Sequence, residues 1–96
     1  MRALSILQTE KECYETGRTD NLHTHHIYFG TASRKVSDEN GFVVYLTGEY
    51  HNQSTVHGVH FDNKALDLRL KQECQRKFEE THSREDFMKL IGRSYL

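Results

Sequence analysis

Apolar residues fall into short runs separated by polar stretches, and two different spacings are legible in them. Residues 22–29 end in Ile27-Tyr28-Phe29 and stop at Gly30, which predicts a strand. Phe42-Val43-Val44-Tyr45-Leu46 is β-branched and aromatic, and predicts a second. The residues between them, 30–41, are polar and close on Asp38-Glu39-Asn40-Gly41, a turn signal. The two strands are therefore expected to pair as a hairpin across a long polar loop. Residues 48–55 fit either a short helix or an irregular loop.

The spacing changes after residue 60. Leu66, Leu70, Cys74 and Phe78 recur every four residues, with Leu68 alongside, which predicts an amphipathic helix over about 63–80. Asp62 is expected to cap it, with Phe61 folding onto Leu66 as a staple. Cys74 then counts as a small core hydrophobe rather than a nucleophile. A last helix is predicted from Ser83, with Asp86 three residues on, an apolar face of Phe87, Met88, Leu90 and Ile91, and a stop at Gly92. The order strand, strand, short element, helix, helix is that of an α+β domain, one domain over residues 1–96.

Composition narrows the class. The 96 residues are 35% hydrophobic, with no proline and no tryptophan, below the roughly 45–50% apolar content of an ordinary globular chain. So small a core is expected to lean on a metal, a partner chain or a second copy, so that a homodimer is one expectation. No stretch approaches the roughly 20 apolar residues of a membrane span, and the first ten residues lack a signal-peptide core. Two cysteines, Cys13 and Cys74, are too few for a disulfide scaffold. A cytoplasmic protein is the expectation. The net charge of −1 does not announce a nucleic-acid binder. The one locally basic stretch, residues 69–77, reads as a solvated helix face ahead of a phosphate contact. No Gly-x-Ser-x-Gly elbow or phosphate-cradling glycine loop is present.

Histidine is the anomaly. Of seven, six (His23, His25, His26, His51, His57 and His60) fall between residues 23 and 60. Histidine is the commonest metal ligand and the side chain best suited to general base work near neutral pH. Neighbours on a strand face opposite sides, so His25 and His26 cannot share one role. One can bind a metal while the other takes a proton from water. His51, just after the second strand, can complete the metal site if its segment folds back over the hairpin. A base together with a cation is what phosphodiester cleavage requires.

The stretch Asn21-Leu22-His23-Thr24-His25-His26-Ile27, followed by Tyr45-Leu46-Thr47-Gly48-Glu49-Tyr50-His51-Asn52, resembles the HNH endonuclease family with its ββα-metal fold. It looks closest to small phage-encoded members, and the similarity continues through Gly58-Val59-His60-Phe61 and the two terminal helices. The resemblance implies a hairpin-plus-helix core followed by two C-terminal helices. It also implies hydrolysis of nucleic-acid phosphodiester bonds, DNA ahead of RNA. His26 stands as the general base, and His25 and His51 as ligands of one Mg²⁺ or Mn²⁺, with Ni²⁺ or Zn²⁺ as further occupants of imidazole ligands. For the family's middle Asn, which orients the base, the candidates are Asn40 and Asn52. His60 either reaches the site as the chain returns or packs beside Phe61.

The departures from the family pattern matter as well. Many relatives hold the hairpin with a structural zinc on two Cys-x-x-Cys pairs. Here the pairs read Cys13-Tyr14-Glu15-Thr16 and Thr47-Gly48-Glu49-Tyr50, which leaves Cys13 as the remnant. One thiolate does not make a four-coordinate zinc site, so the structural zinc is expected to be absent and packing, Tyr50 included, to take its place. The alternative to an active nuclease is a catalytically inactive HNH-derived phage protein that binds and inhibits a host defence protein or nucleic-acid complex. A third reading is a histidine-rich metal-binding domain with no nuclease link.

Overall fold

The computed structural model describes residues 5–96. Strand β1 (Leu22–His26) pairs antiparallel with β2 (Val43–Thr47), Leu22 opposite Thr47 and His26 opposite Val43. The chain is α+β, as its patterning predicts, and compatible with a ββα core carrying C-terminal helices. β1 ends earlier than the apolar run suggests. Ile27 still donates to the Phe42 carbonyl at 2.9 Å. Tyr28 turns away because one hydroxyl satisfies its backbone: Ser37 Oγ accepts from Tyr28 N at 3.1 Å and donates to Tyr28 O at 2.6 Å. Ile27 and Tyr28 are thus core residues without being strand residues.

The expected loop between the strands is instead a helix, α1 (Thr31–Asn40). It escapes a periodicity search because it buries only the polar Ser37 fully, with Val36 half-buried beside it. No apolar stripe exists to be read. Ala32, Arg34, Lys35 and Glu39 are nevertheless good helix formers. The turn signal at 38–41 is the helix stop: Gly41 sits at φ 73°, the left-handed conformation that closes a helix C-terminus most cheaply with glycine.

Helix α2 (Lys64–Phe78) is capped one residue later than expected. Asn63, not Asp62, takes the cap, its side chain accepting from Leu66 N at 3.2 Å. That shift moves Leu66 up one position, and Phe61 is 46% exposed rather than stapled. Leu66, Leu70, Cys74 and Phe78 are all buried, as the four-residue spacing predicts. Leu68 is not part of the stripe: two residues from Leu66 is roughly 200° around a helix, and it is 47% exposed. Helix α3 (Arg84–Ile91) opens with the predicted Ser83–Asp86 capping box and stops at Gly92. Its Phe87 is buried against the rings of Tyr28, Phe42 and Phe78, whereas Met88 is exposed. Buried Gln75 of α2 pins the C-terminal tail, accepting from Tyr95 N at 2.7 Å and donating to Ser94 Oγ at 2.9 Å. Among the described residues no helix is long and apolar enough to cross a membrane.

Candidate metal centre and its cleft

Two short connections bring the histidines together. After β2 the chain winds into a single π-helical turn, Glu49–Gln53, which carries His51. Gly48 N donates to Asn21 O at 3.0 Å, and Asn21 Nδ2 to Gln53 Oε1 at 3.1 Å, so this turn is tied to the start of β1. Residues 54–60 then fold back onto it. Val59 N donates to Tyr50 O at 2.8 Å and His60 N to His51 O at 3.3 Å. Gly58 makes that return feasible, because a Cβ there would meet Ser54 O at 2.4 Å and His51 O at 3.2 Å.

The result is a cluster of three imidazoles, His25, His51 and His60, with one potential ligand nitrogen from each inside a 4.8 Å span. His51 Nε2 and His60 Nε2 are 3.2 Å apart, close to the roughly 3.3 Å that two nitrogens bound tetrahedrally at about 2.0–2.1 Å keep around one ion. His25 is fully buried, and neither of its ring nitrogens has a hydrogen-bond partner among the described residues. An unpartnered buried polar group calls for a specific cause, and an absent ion is a recognised one. The donor set fits a divalent metal.

Electrostatics keep these nitrogens available. Burial lowers His25 to about 3, helped by the neighbouring His60, His51 and His26 rings and Lys71. Burial also lowers His51 to about 4, with His60, His23 and His26 adding to it. His60 falls below its ordinary value through loss of hydration, with Asp67 opposing and Lys71 adding. All three are therefore neutral near pH 7, the protonation state that binds metal.

His26 points elsewhere, as strand alternation requires. Its Nε2 lies 3.1 Å from Asp38 Oδ1 on α1. It nonetheless lines the same cleft of about 540 Å³ as His51 and His60, together with Thr24, Phe29, Gly30 and Arg34. Arg34 is the one cation in that wall and has no ion pair among the described residues. Phe29 is 41% exposed, with His60 edge-on to it at 4.8 Å and Lys71 Nζ 4.7 Å from its ring centre.

Of the residues the sequence nominated, His25 and His51 meet, and His60 joins them rather than packing beside Phe61. Asn40 is remote from the cleft: it ends α1, donates to Val36 O at 2.8 Å and lines a separate cavity with Ile6, Phe78 and His82. Asn52 is exposed on the π turn and does not line the cleft. The carboxylate beside His26 is Asp38, which no local pattern could indicate while α1 was read as a loop. His23 was also overlooked, although its place two residues before His25 puts both on one strand face. Its Nδ1 lies 3.0 Å from His51 Nδ1.

The structural zinc implied by the resemblance does not fit. Cys13 is buried beside Thr47, whose N donates to Cys13 Sγ at 3.4 Å while the thiol reaches Thr47 Oγ1 at 4.0 Å. Burial pushes this thiol's pKa up, but hydrogen bonds from Thr16 and the backbone outweigh it and leave it lowered. The side chains around this single sulfur are those of Thr16 and Thr47, and hydroxyls are not zinc ligands. The basic stretch of α2 is largely neutralised: Arg69 pairs with Glu15, Lys71 with Asp67 at 2.9 Å and Lys77 with Glu80 at 3.3 Å. Comparisons with family models, curated proteins and solved structures return no match for this chain.

Proposed function

We propose that this protein is a metal-dependent, HNH-like endonuclease that hydrolyses nucleic-acid phosphodiester bonds, with His26 as general base and a divalent metal held by His25, His51 and His60. One observation carries the reading: a carboxylate-paired histidine and two of the three clustered imidazoles line a single cleft. A carboxylate can only accept, so Asp38 holds the His26 proton on Nε2 and leaves the lone pair on Nδ1. That nitrogen takes a proton from the attacking water as its oxygen adds to phosphorus. The bond from phosphorus to the leaving oxygen then breaks, and that oxygen takes its proton from solvent. Arg34 supplies a cation for the phosphate in the same wall. When bound, the metal neutralises charge on the phosphate and the leaving oxygen. Three neutral nitrogens without a carboxylate suit Zn²⁺ or Ni²⁺ ahead of Mn²⁺ and Mg²⁺, which favour oxygen. DNA is the proposed substrate.

The test is plasmid nicking by protein stripped with EDTA and resupplied separately with Mn²⁺, Ni²⁺, Zn²⁺ or Mg²⁺. Nicking is expected with at least one of the first three, and His26→Ala should reduce it by roughly 10²–10⁴-fold, the usual contribution of a general base. Absence of nicking in every metal, or full activity of His26→Ala, overturns the proposal. The first outcome leaves the chain as a binding protein built on the same scaffold.

A further inference from the structure

His51 is the hub of the histidine cluster, because both of its ring nitrogens are engaged. Nε2 faces His60 Nε2 at 3.2 Å, and Nδ1 faces His23 Nδ1 at 3.0 Å. The His23 and His51 rings stand edge-on, 83° apart, with centroids 5.2 Å from one another. A neutral imidazole carries a single N–H, so its two nitrogens cannot both offer a lone pair. Which nitrogen of His51 is free to bind metal is therefore decided by what its other nitrogen does.

We propose that His23 is a positioning residue that fixes the tautomer of His51, accepting a hydrogen bond from His51 Nδ1–H and so leaving the Nε2 lone pair in the cluster. The inference rests on the metal reading of that cluster. Its chemistry follows from the nitrogen count. A metal-ligating nitrogen bears no proton, which places the His51 proton on Nδ1. The 3.0 Å contact then requires His23 Nδ1 to be the acceptor, with the His23 proton on its own Nε2. Partners of this kind, which orient a ligand through its second nitrogen, typically contribute roughly 10–100-fold in metal affinity. β1 provides the rigidity: His23 sits opposite Leu46 and His25 opposite Val44 in the strand register, so acceptor and ligand come from one strand face.

The experiment measures Zn²⁺ affinity by chelator competition for wild type, His23→Asn and His23→Phe. It is paired with ¹⁵N NMR of the imidazoles in the Zn²⁺-loaded wild-type protein. An asparagine Oδ1 falls near the position of His23 Nδ1 and still accepts a hydrogen bond, whereas phenylalanine keeps the ring and loses the acceptor. The expected result is an affinity for His23→Asn within about threefold of wild type and a loss of roughly 10–100-fold for His23→Phe. The His51 signals should show Nδ1 protonated. Undiminished affinity in His23→Phe overturns the inference and leaves the metal site standing. Equal losses in both variants overturn it too, since His23 would then be a ligand itself. Should His23→Phe fail to fold, the NMR decides alone, and an unprotonated His51 Nδ1 refutes the assignment. If wild type binds no Zn²⁺, the metal reading fails and takes this inference with it.

Discussion

Replacing His25 with leucine should move stability in opposite directions with and without metal. His25 is fully buried and neither ring nitrogen is partnered among the described residues. At pH 7.5 the ring is neutral, since burial holds its pKa near 3. One N–H and one lone pair are then kept from water without compensation. Leaving a buried polar group unpaired costs about 1–3 kcal/mol. A leucine fills similar space, keeps apolar contact with Phe29, and should recover about that amount in metal-free protein. For a domain of this size each 1 kcal/mol corresponds to roughly 4–8 °C in melting temperature. In EDTA, His25→Leu should therefore melt at least about 4 °C above wild type. With Zn²⁺ at about 1,000 times its dissociation constant, wild type should gain about 4.1 kcal/mol, more than the leucine recovers in EDTA. The variant, one ligand short, should gain far less, so that the ranking reverses. Circular-dichroism melts in EDTA and in Zn²⁺ check both halves. A variant several degrees less stable than wild type in EDTA refutes the claim that the nitrogens are unpartnered. A variant that Zn²⁺ stabilises as much as wild type refutes His25 as a ligand.

The same shifts set the sign of the pH dependence. His25 and His51 lie near 3 and 4 when folded, against an ordinary 6.5, so below pH 6.5 the unfolded chain binds more protons and stability falls. Unfolding free energies from urea titrations in EDTA should be flat above pH 6.5 and drop from 6.5 toward 4, by up to about 1.4 kcal/mol per pH unit per histidine, with the midpoints following. A midpoint unchanged between pH 7 and 5 contradicts this. Asp38→Asn, which can place its amide rather than an acceptor against His26 Nε2, should lower the nicking rate while leaving Zn²⁺ affinity within about threefold of wild type; a loss of metal binding would show that Asp38 serves the cluster instead. Gly58→Ala forces a Cβ to within 2.4 Å of Ser54 O and should cost about 1–3 kcal/mol in urea unfolding, with weaker Zn²⁺ binding because the return of the chain to His51 is displaced. Ser37→Ala removes both the donor and the acceptor that Tyr28 uses and should cost about 1–3 kcal/mol; a neutral effect would mean that water replaces the hydroxyl.

What the sequence determined by itself was whatever repeats over a few residues. The four-residue recurrence of Leu66, Leu70, Cys74 and Phe78 specified a buried helix face, because a helix returns to the same side at that interval. Ser83, Asp86 and Gly92 bounded the last helix through bonds made within its own turns. The β-branched run at 42–46 marked a strand, and the histidines within the first strand and after the second were recognisable as candidate ligands. Tertiary structure decided the rest. α1 has no apolar stripe to announce it, since its fully buried residue is a serine held by Tyr28, nine positions away in the chain. Without that helix, Asp38 has no visible relation to His26, and Asn40 and Asn52 look like better candidates than they are. His60 meets His51 only because Tyr50 and Val59 pair their backbones across a tight return at Gly58. His23 meets it because the π turn is tied to the start of β1. These contacts join residues distant in sequence, and no local spacing encodes them. The chemistry of each histidine was legible in isolation, but which imidazoles share a site and which nitrogen each presents follow from how the chain closes.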